Sequence, residues 1–269
     1  MNTFLDFIDT YSWAMMLSIL LVLGASAFLG RFTWARHAQR DAVLDDELKI
    51  VLGATLSLFG LLMGFILSIA ISGYNTRIAA EENEAIAIGN AFQRTTLLLS
   101  DAHKAHAEKL LHDYLNLRIR FFETANEDIR ARIRMESIQT QTHMWTLISN
   151  IAKQNPNPVM ASALNACNDL YTAQQKTMAS WRHQIPGAAW VILILFGMCS
   201  NFLIGYNMHS KTGSSSLLLV VPAITSLALF MISEIDIPGK GMIHVTPHNL
   251  EAVKVTIGEG GLAPSKVPF

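Results

Sequence analysis

Four stretches of the chain are apolar almost without interruption: Trp13–Gly30, Ile50–Ser72, Gly187–Tyr206 and Ser216–Ile235, with Glu234 their only charged residue. At about 1.5 Å per residue, some twenty apolar residues match the hydrocarbon core of a bilayer, so each stretch predicts a transmembrane helix. Tyr11, Trp13, Phe32 and Trp34 bracket the first, as interfacial aromatics do. Between the second and third stretches the pattern changes. Residues 74–185 carry nearly equal numbers of acidic and basic residues, and their apolar positions recur at helical spacing. Leu111, Tyr114, Leu115, Phe121 and Phe122 form one such run; Ile129, Ile133, Met144, Leu147, Ile148 and Ile151 form the next. Three or so long helices are predicted there, the first continuous with the second span. Asn155-Pro156-Asn157-Pro158 breaks the run, because each proline removes an amide donor and drives the preceding residue out of the helical region.

This pattern predicts an all-α membrane protein with four transmembrane helices and a long helical bundle inserted between spans two and three. The expected divisions are 1–73 (spans one and two with their loop), 74–185 (the extramembrane bundle), 186–236 (spans three and four) and 237–269 (an extramembrane tail). Pro222 is expected to kink span four. In the Gly- and Pro-rich tail, Met242–Val245 and Ala252–Ile257 read as short strands.

Composition agrees with the pattern and narrows the function. The 269 residues are 51% hydrophobic and 15% charged, against roughly 25% charge in soluble domains. A net charge of −1 gives no support to nucleic-acid binding. Asp6 and Asp9 occupy the place where a secretory leader needs basic residues, so the first span is expected to stay in the mature protein. Cys167 and Cys199 lie in different surroundings, which argues against a disulfide framework or a metal site. His103, His106 and His112 share an amphipathic helix and read as a solvated face. No catalytic constellation, phosphate loop or metal motif is present. The chain reads as a non-enzyme without cofactor or metal.

The second span is unlike a plain anchor. Gly53, Ala54, Thr55, Ser57, Gly60, Gly64, Ser68, Ala70, Ser72 and Gly73 recur through it. Such residues suit a helix packed closely on others or lining a wet path. Just beyond it, Glu81, Glu82 and Glu84 form an acidic run, either a solvated face or a charged ring in an oligomer. Glu234 and Asp236 close span four as interfacial groups or as packing and ion contacts.

The run "GLLMGFILSIAISGYNTRIAAEENEAIAIGNAFQR" and the tail "EIDIPGKGMIHVTPHNL" resemble the bacterial bestrophin-like family of membrane proteins and, more distantly, bestrophin ion channels. The resemblance implies a homopentamer around a central ion path, with span two lining a hydrophobic neck. Through the Gly-Phe pair it makes Phe65 a neck residue, with Leu61 and Ser57 one and two turns earlier. Their i, i+4, i+8 spacing places all three on one helix face, and the glycines are then expected to turn toward neighbouring helices. Leu and Phe rings gate by dewetting. The chain departs from true bestrophins: of their Arg-Trp-Trp triplet only Tyr74 and Arg77 remain, no acidic calcium clasp follows span four, and Ser57 is polar.

The expected function is therefore an oligomeric ion channel or channel-like protein of a bacterial inner membrane, with the lipid bilayer, inorganic ions and further copies of itself as partners. The alternatives are a membrane-anchored helical scaffold or sensor without conductance and, third, a transporter. The two sides of the membrane are contested. Arg31, Arg36, Arg40, Lys49 and Lys211 favour a cytoplasmic loop and an external bundle, while Arg77, Lys176, Arg182 and Lys240 flank the other side. The resemblance implies a cytoplasmic bundle, and that expectation is adopted.

Overall fold

In the computed structural model, residues 12–36, 42–96, 101–208, 217–239 and 243–258 are described. They form eight helices: α1 Ser12–Arg36, α2 Ala42–Thr96, α3 Asp101–Glu123, α4 Glu127–Gln154, α5 Pro158–Arg182, α6 Gly187–Asn207, α7 Leu217–Asp236 and α8 His248–Gly258. Among the described residues, four helices are long and apolar enough to cross a membrane, lying in Trp13–Thr33, Glu47–Thr95, Pro158–Asn207 and Leu218–Asp236. The 55 residues of α2 are one helix, so the second apolar stretch continues unbroken into charged sequence. It contains no proline to remove a backbone bond.

Local chemistry sets the boundaries. Asn126 caps α4, its Oδ1 accepting from the amides of Asp128 (2.9 Å) and Ile129 (3.1 Å). Asn157 caps α5 by accepting from the amide of Met160 (2.8 Å), and Pro158 sits in the first turn, where its missing donor costs nothing. The Asn155–Pro158 breaker thus ends one helix and starts the next. Helix α7 runs through Pro222, where the Thr225 hydroxyl donates to the Val221 carbonyl (2.8 Å).

The chain divides into two compact units, one from the described residues up to Gly73 and from Gln184 to Ile243, the other from Tyr74 to His183 and onward from His244. In the first, α1 and α6 approach backbone to backbone. A Cβ added at Gly205 would stand 1.9 Å from the Ala27 carbonyl oxygen, and one at Gly30 2.0 Å from that of Phe202. Only glycine permits that approach. The Ser26 hydroxyl donates across the same contact to the Met198 carbonyl (2.7 Å). Leu23, Phe59, Leu193 and Leu229 form the buried centre of this unit.

The second unit has an aromatic and aliphatic core including Leu111, Tyr114, Leu115, Phe121, Phe122, Ile133, Met144, Ile148 and Leu170. The tail departs from its expected strands. Residues 252–257 lie within α8, and residues 243–247 form no strand. Val253, Val255 and Ile257 alternate as a strand would, but Leu250, Val253 and Ile257 also stand at helical spacing. Leu250 is fully buried and the other two pack on the core, so the helical period prevails. Met242 and the Lys240–Gly241 part of the turn lie outside the described residues.

Candidate functional site

Helix α2 presents two faces along its apolar half. Phe59 and Ala70 are buried, and Leu62, Met63 and Ile66 pack beside them on the unit's interior. The opposite face is open. Ser57 is exposed, as are Leu61 (55%) and Phe65 (60%), so the three residues share one outward face. Only 6% of the most apolar part of this span is buried within the chain, against 28%, 22% and 44% for the other three. The most apolar span is therefore the one the chain covers least.

Three glycines of this span meet no helix of their own chain, which leaves them free to face helices of another copy. A Cβ on Gly53, Gly60 or Gly64 would find no neighbour within 4 Å. The close approaches occur instead at Gly30 and Gly205, because a glycine's role depends on which element crosses it, and that is fixed far away in sequence.

The acidic run is split. Glu82 is exposed, whereas Glu81 and Glu84 are buried to within 1%. Glu84 Oε1 accepts from Arg118 Nε (2.5 Å) and from the Tyr114 hydroxyl (3.0 Å). Its Oε2 accepts from Arg118 Nη2 (3.2 Å) and the Thr177 hydroxyl (2.7 Å). Gln141 Nε2 donates to the Tyr114 oxygen (3.0 Å), extending the network to α4. One carboxylate thus ties α2 to α3 and α5. Burial penalises the charged Arg118 guanidinium, but the adjacent Glu84 outweighs this and raises its pKa. Burial, reinforced by the Glu84 charge, holds the Tyr114 phenol well above its ordinary value. Beside them, Arg130 lies 4.6 Å from the Trp181 ring centroid and donates to Glu127 (2.6 Å).

Glu81 has a different task. Its Oε1 accepts from the Leu250 amide (2.9 Å) and its Oε2 from Asn249 Nδ2 (2.7 Å), so it closes the first turn of α8. A carboxylate there meets unpaired amides and the positive end of the helix dipole. Tyr74 packs half-buried on the bundle core, and Arg77 is buried to 1%. Glu234 and Asp236 are also buried, and Asp236 Oδ1 accepts from the Ile185 amide (3.0 Å) just ahead of α6. The structure therefore brings Glu84 together with residues that no motif indicated: Tyr114, Arg118, Gln141 and Thr177. One signal for Arg118 lay in the sequence. It occupies the apolar stripe Leu111, Tyr114, Leu115, Arg118, Phe122, where a charge must be buried and paired.

Within the described residues, no group of three His, Cys, Asp or Glu side chains gathers as a metal site would require. Cys167 is buried, and burial pushes its thiol up to about 11.

Residues 17–250 match the Bestrophin-like domain, which spans most of the chain and both of its units. The chain belongs to the Bestrophin-like family. It is a membrane protein of that family, with the apolar helices described above. No curated protein shows significant sequence similarity to it. Among solved structures it is similar to a bacterial bestrophin homologue from Klebsiella pneumoniae, known in two variant forms. Identities are 12% and 13%, coverage is 91% of this chain and 98% of that one, and the TM-score is 0.61 for each. A further crystal structure, described as a membrane protein, matches at 12% identity, with 91% and 97% coverage and a TM-score of 0.60. These likenesses establish the bestrophin fold for the Bestrophin-like chain.

Proposed function

We propose that the protein is an oligomeric, channel-like membrane protein of the bacterial inner membrane that passes inorganic ions passively. In this reading its four spans carry a helical bundle between the second and third, on the cytoplasmic side. Span two lines the ion path. Ser57, Leu61 and Phe65 form a hydrophobic neck when copies, five in this reading, surround one axis. The observation that carries the proposal is the uncovered face of α2: the most apolar span has 6% of its stretch buried by its own chain, and the three proposed neck residues face outward from it. A helix needing only lipid contact has no use for the serine and glycines along that face, whereas a helix shared between copies does. Rings of Leu61 and Phe65 side chains would set the narrowest point and close it by dewetting.

Ion flux into liposomes containing the purified protein tests this. Conductance that rises or loses its gating in Phe65→Ala supports the neck. No conductance from either form overturns the channel reading and favours the rival, a membrane-anchored scaffold or sensor. Native mass spectrometry distinguishes the two independently, because the channel requires a ring and the scaffold is satisfied by a dimer. Labelling of Gln139→Cys, exposed on α4, by a membrane-impermeant maleimide in intact cells tests the sidedness. Labelling without lysis would place the bundle outside.

A further inference from the structure

Within the bundle unit, α2 and α5 leave between them an open groove of about 370 Å³, lined by Thr76, Ala79, Ala80 and Asn83 of α2 and by Lys176, Ala179, Ser180 and His183 of α5. Its floor is small side chains, and its α5 rim carries Lys176 and His183. A different part of α2 carries a ridge. Ile78 (37% exposed), Glu82 and Ile86 (53%) stand at i, i+4 and i+8, giving two branched apolar side chains with a carboxylate between them. Among the described residues, neither Glu82 nor Lys176 has an ion-pair partner.

We infer that copies of this chain join through this pair of surfaces: the Ile78–Glu82–Ile86 ridge of one copy seats in the α2–α5 groove of the next, with Glu82 pairing to Lys176 of the neighbouring copy. The inference rests on the oligomeric reading above and gives that oligomer a specific contact. Shape supports it, since ridges packing into grooves of small residues is how helices approach closely. Charge supports it, since the ridge is acidic at its centre and the groove is basic at its rim. Angle supports it as well. At 3.6 residues per turn, the ridge and the α2 side of the groove lie about 110° apart around the helix. A contact between two different faces is head-to-tail and closes into a ring when the faces subtend the ring's interior angle, about 108° for five copies.

The heights agree too. Rotation about an axis along α2 leaves each residue at its own level, so Glu82 must find its partner at the level of Glu82. Lys176 is there: the adjacent Thr177 hydroxyl contacts both Glu84 Oε2 (2.7 Å) and the Ala80 carbonyl (3.5 Å).

The test is disulfide trapping in membranes, using the full chain with Cys167→Ala and Cys199→Ala. Oxidation of the double variant Glu82→Cys/Lys176→Cys is expected to give a ladder of covalent species ending at the size of the ring, with neither single variant doing so. Efficient dimers from Glu82→Cys alone would put Glu82 at the axis and overturn the contact. An intact oligomer in native mass spectrometry that yields no ladder overturns the inference and leaves the proposed function standing. A chain that is monomeric before any substitution overturns both. A charge exchange supplies the second arm: Glu82→Lys is expected to lower the oligomer fraction several-fold, and Glu82→Lys/Lys176→Glu to restore it. Failure of the exchange to restore it counts against the pair.

Discussion

The two units handle their difficult groups in opposite ways. The bundle unit encloses the carboxylates of Glu81 and Glu84, the guanidiniums of Arg77, Arg118 and Arg130 and the Tyr114 phenol, and it satisfies Glu84 with four hydrogen bonds donated by its own side chains. The apolar unit leaves the outward face of α2 almost wholly uncovered. Polar groups in a dry interior need fixed partners, since each unmet one costs about 1–3 kcal/mol. Apolar side chains in a bilayer have no such requirement, because lipid covers them as well as protein does. The bundle is therefore specified from within, while the span half of α2 is completed by whatever surrounds it.

The largest test of that contrast removes the bundle's central charge. Glu84→Ala strands Arg118 in the core and is expected to destabilise the unit by about 3–5 kcal/mol. Glu84→Leu/Arg118→Leu, which removes both charges, is expected to cost much less, as denaturation in detergent would show. Equal losses would mean that the pair is not what organises this core.

Next comes the crossing of α1 and α6. Gly205→Ala places a methyl group against the Ala27 carbonyl oxygen, so the backbones must separate, at an expected cost of about 1–3 kcal/mol. Gly64→Ala meets open space in the chain and is expected to leave monomer stability unchanged. A comparable loss in both would show that the outward face of α2 is structural. Asn126→Ala follows, with about 1 kcal/mol expected from loss of the α4 cap.

Alkaline titration sharpens the contrast further. Tyr114 is held above its ordinary value and Cys167 is raised to about 11, so the folded bundle keeps protons that the unfolded chain releases. Stability from these groups is complete below about pH 8.5–10 and declines as the pH climbs toward the folded values. Cys167→Ala should remove the early part of that decline. The smallest effect on folding is expected from Phe65→Ala: the side chain is 60% exposed, so stability should barely move while conductance changes.

The sequence made the periodic and punctuated parts legible. Asn155–Pro158 marked a helix junction because proline and asparagine act on their own backbone. The continuity of α2 followed from charged, helix-favouring residues after an apolar run. The rest depended on partners distant along the chain. Ala252–Ile257 fitted two periods, and the bundle core with Glu81 at its first turn selected the helical one. Glu84 could be seen as acidic, but not as buried, because Arg118 lies 34 residues away. Gly53 and Gly205 look alike in sequence and differ only in what crosses them.

The clasp on α8 also bears on synthesis. Glu81 waits for amides 168 and 169 residues further along the chain. At roughly 5–20 residues per second, that separation is about 10–30 s during which the carboxylate has been made and its partner has not. Two of the apolar stretches are translated in that interval. The contact of Glu81 with α8 can therefore form only after both of those stretches have been made.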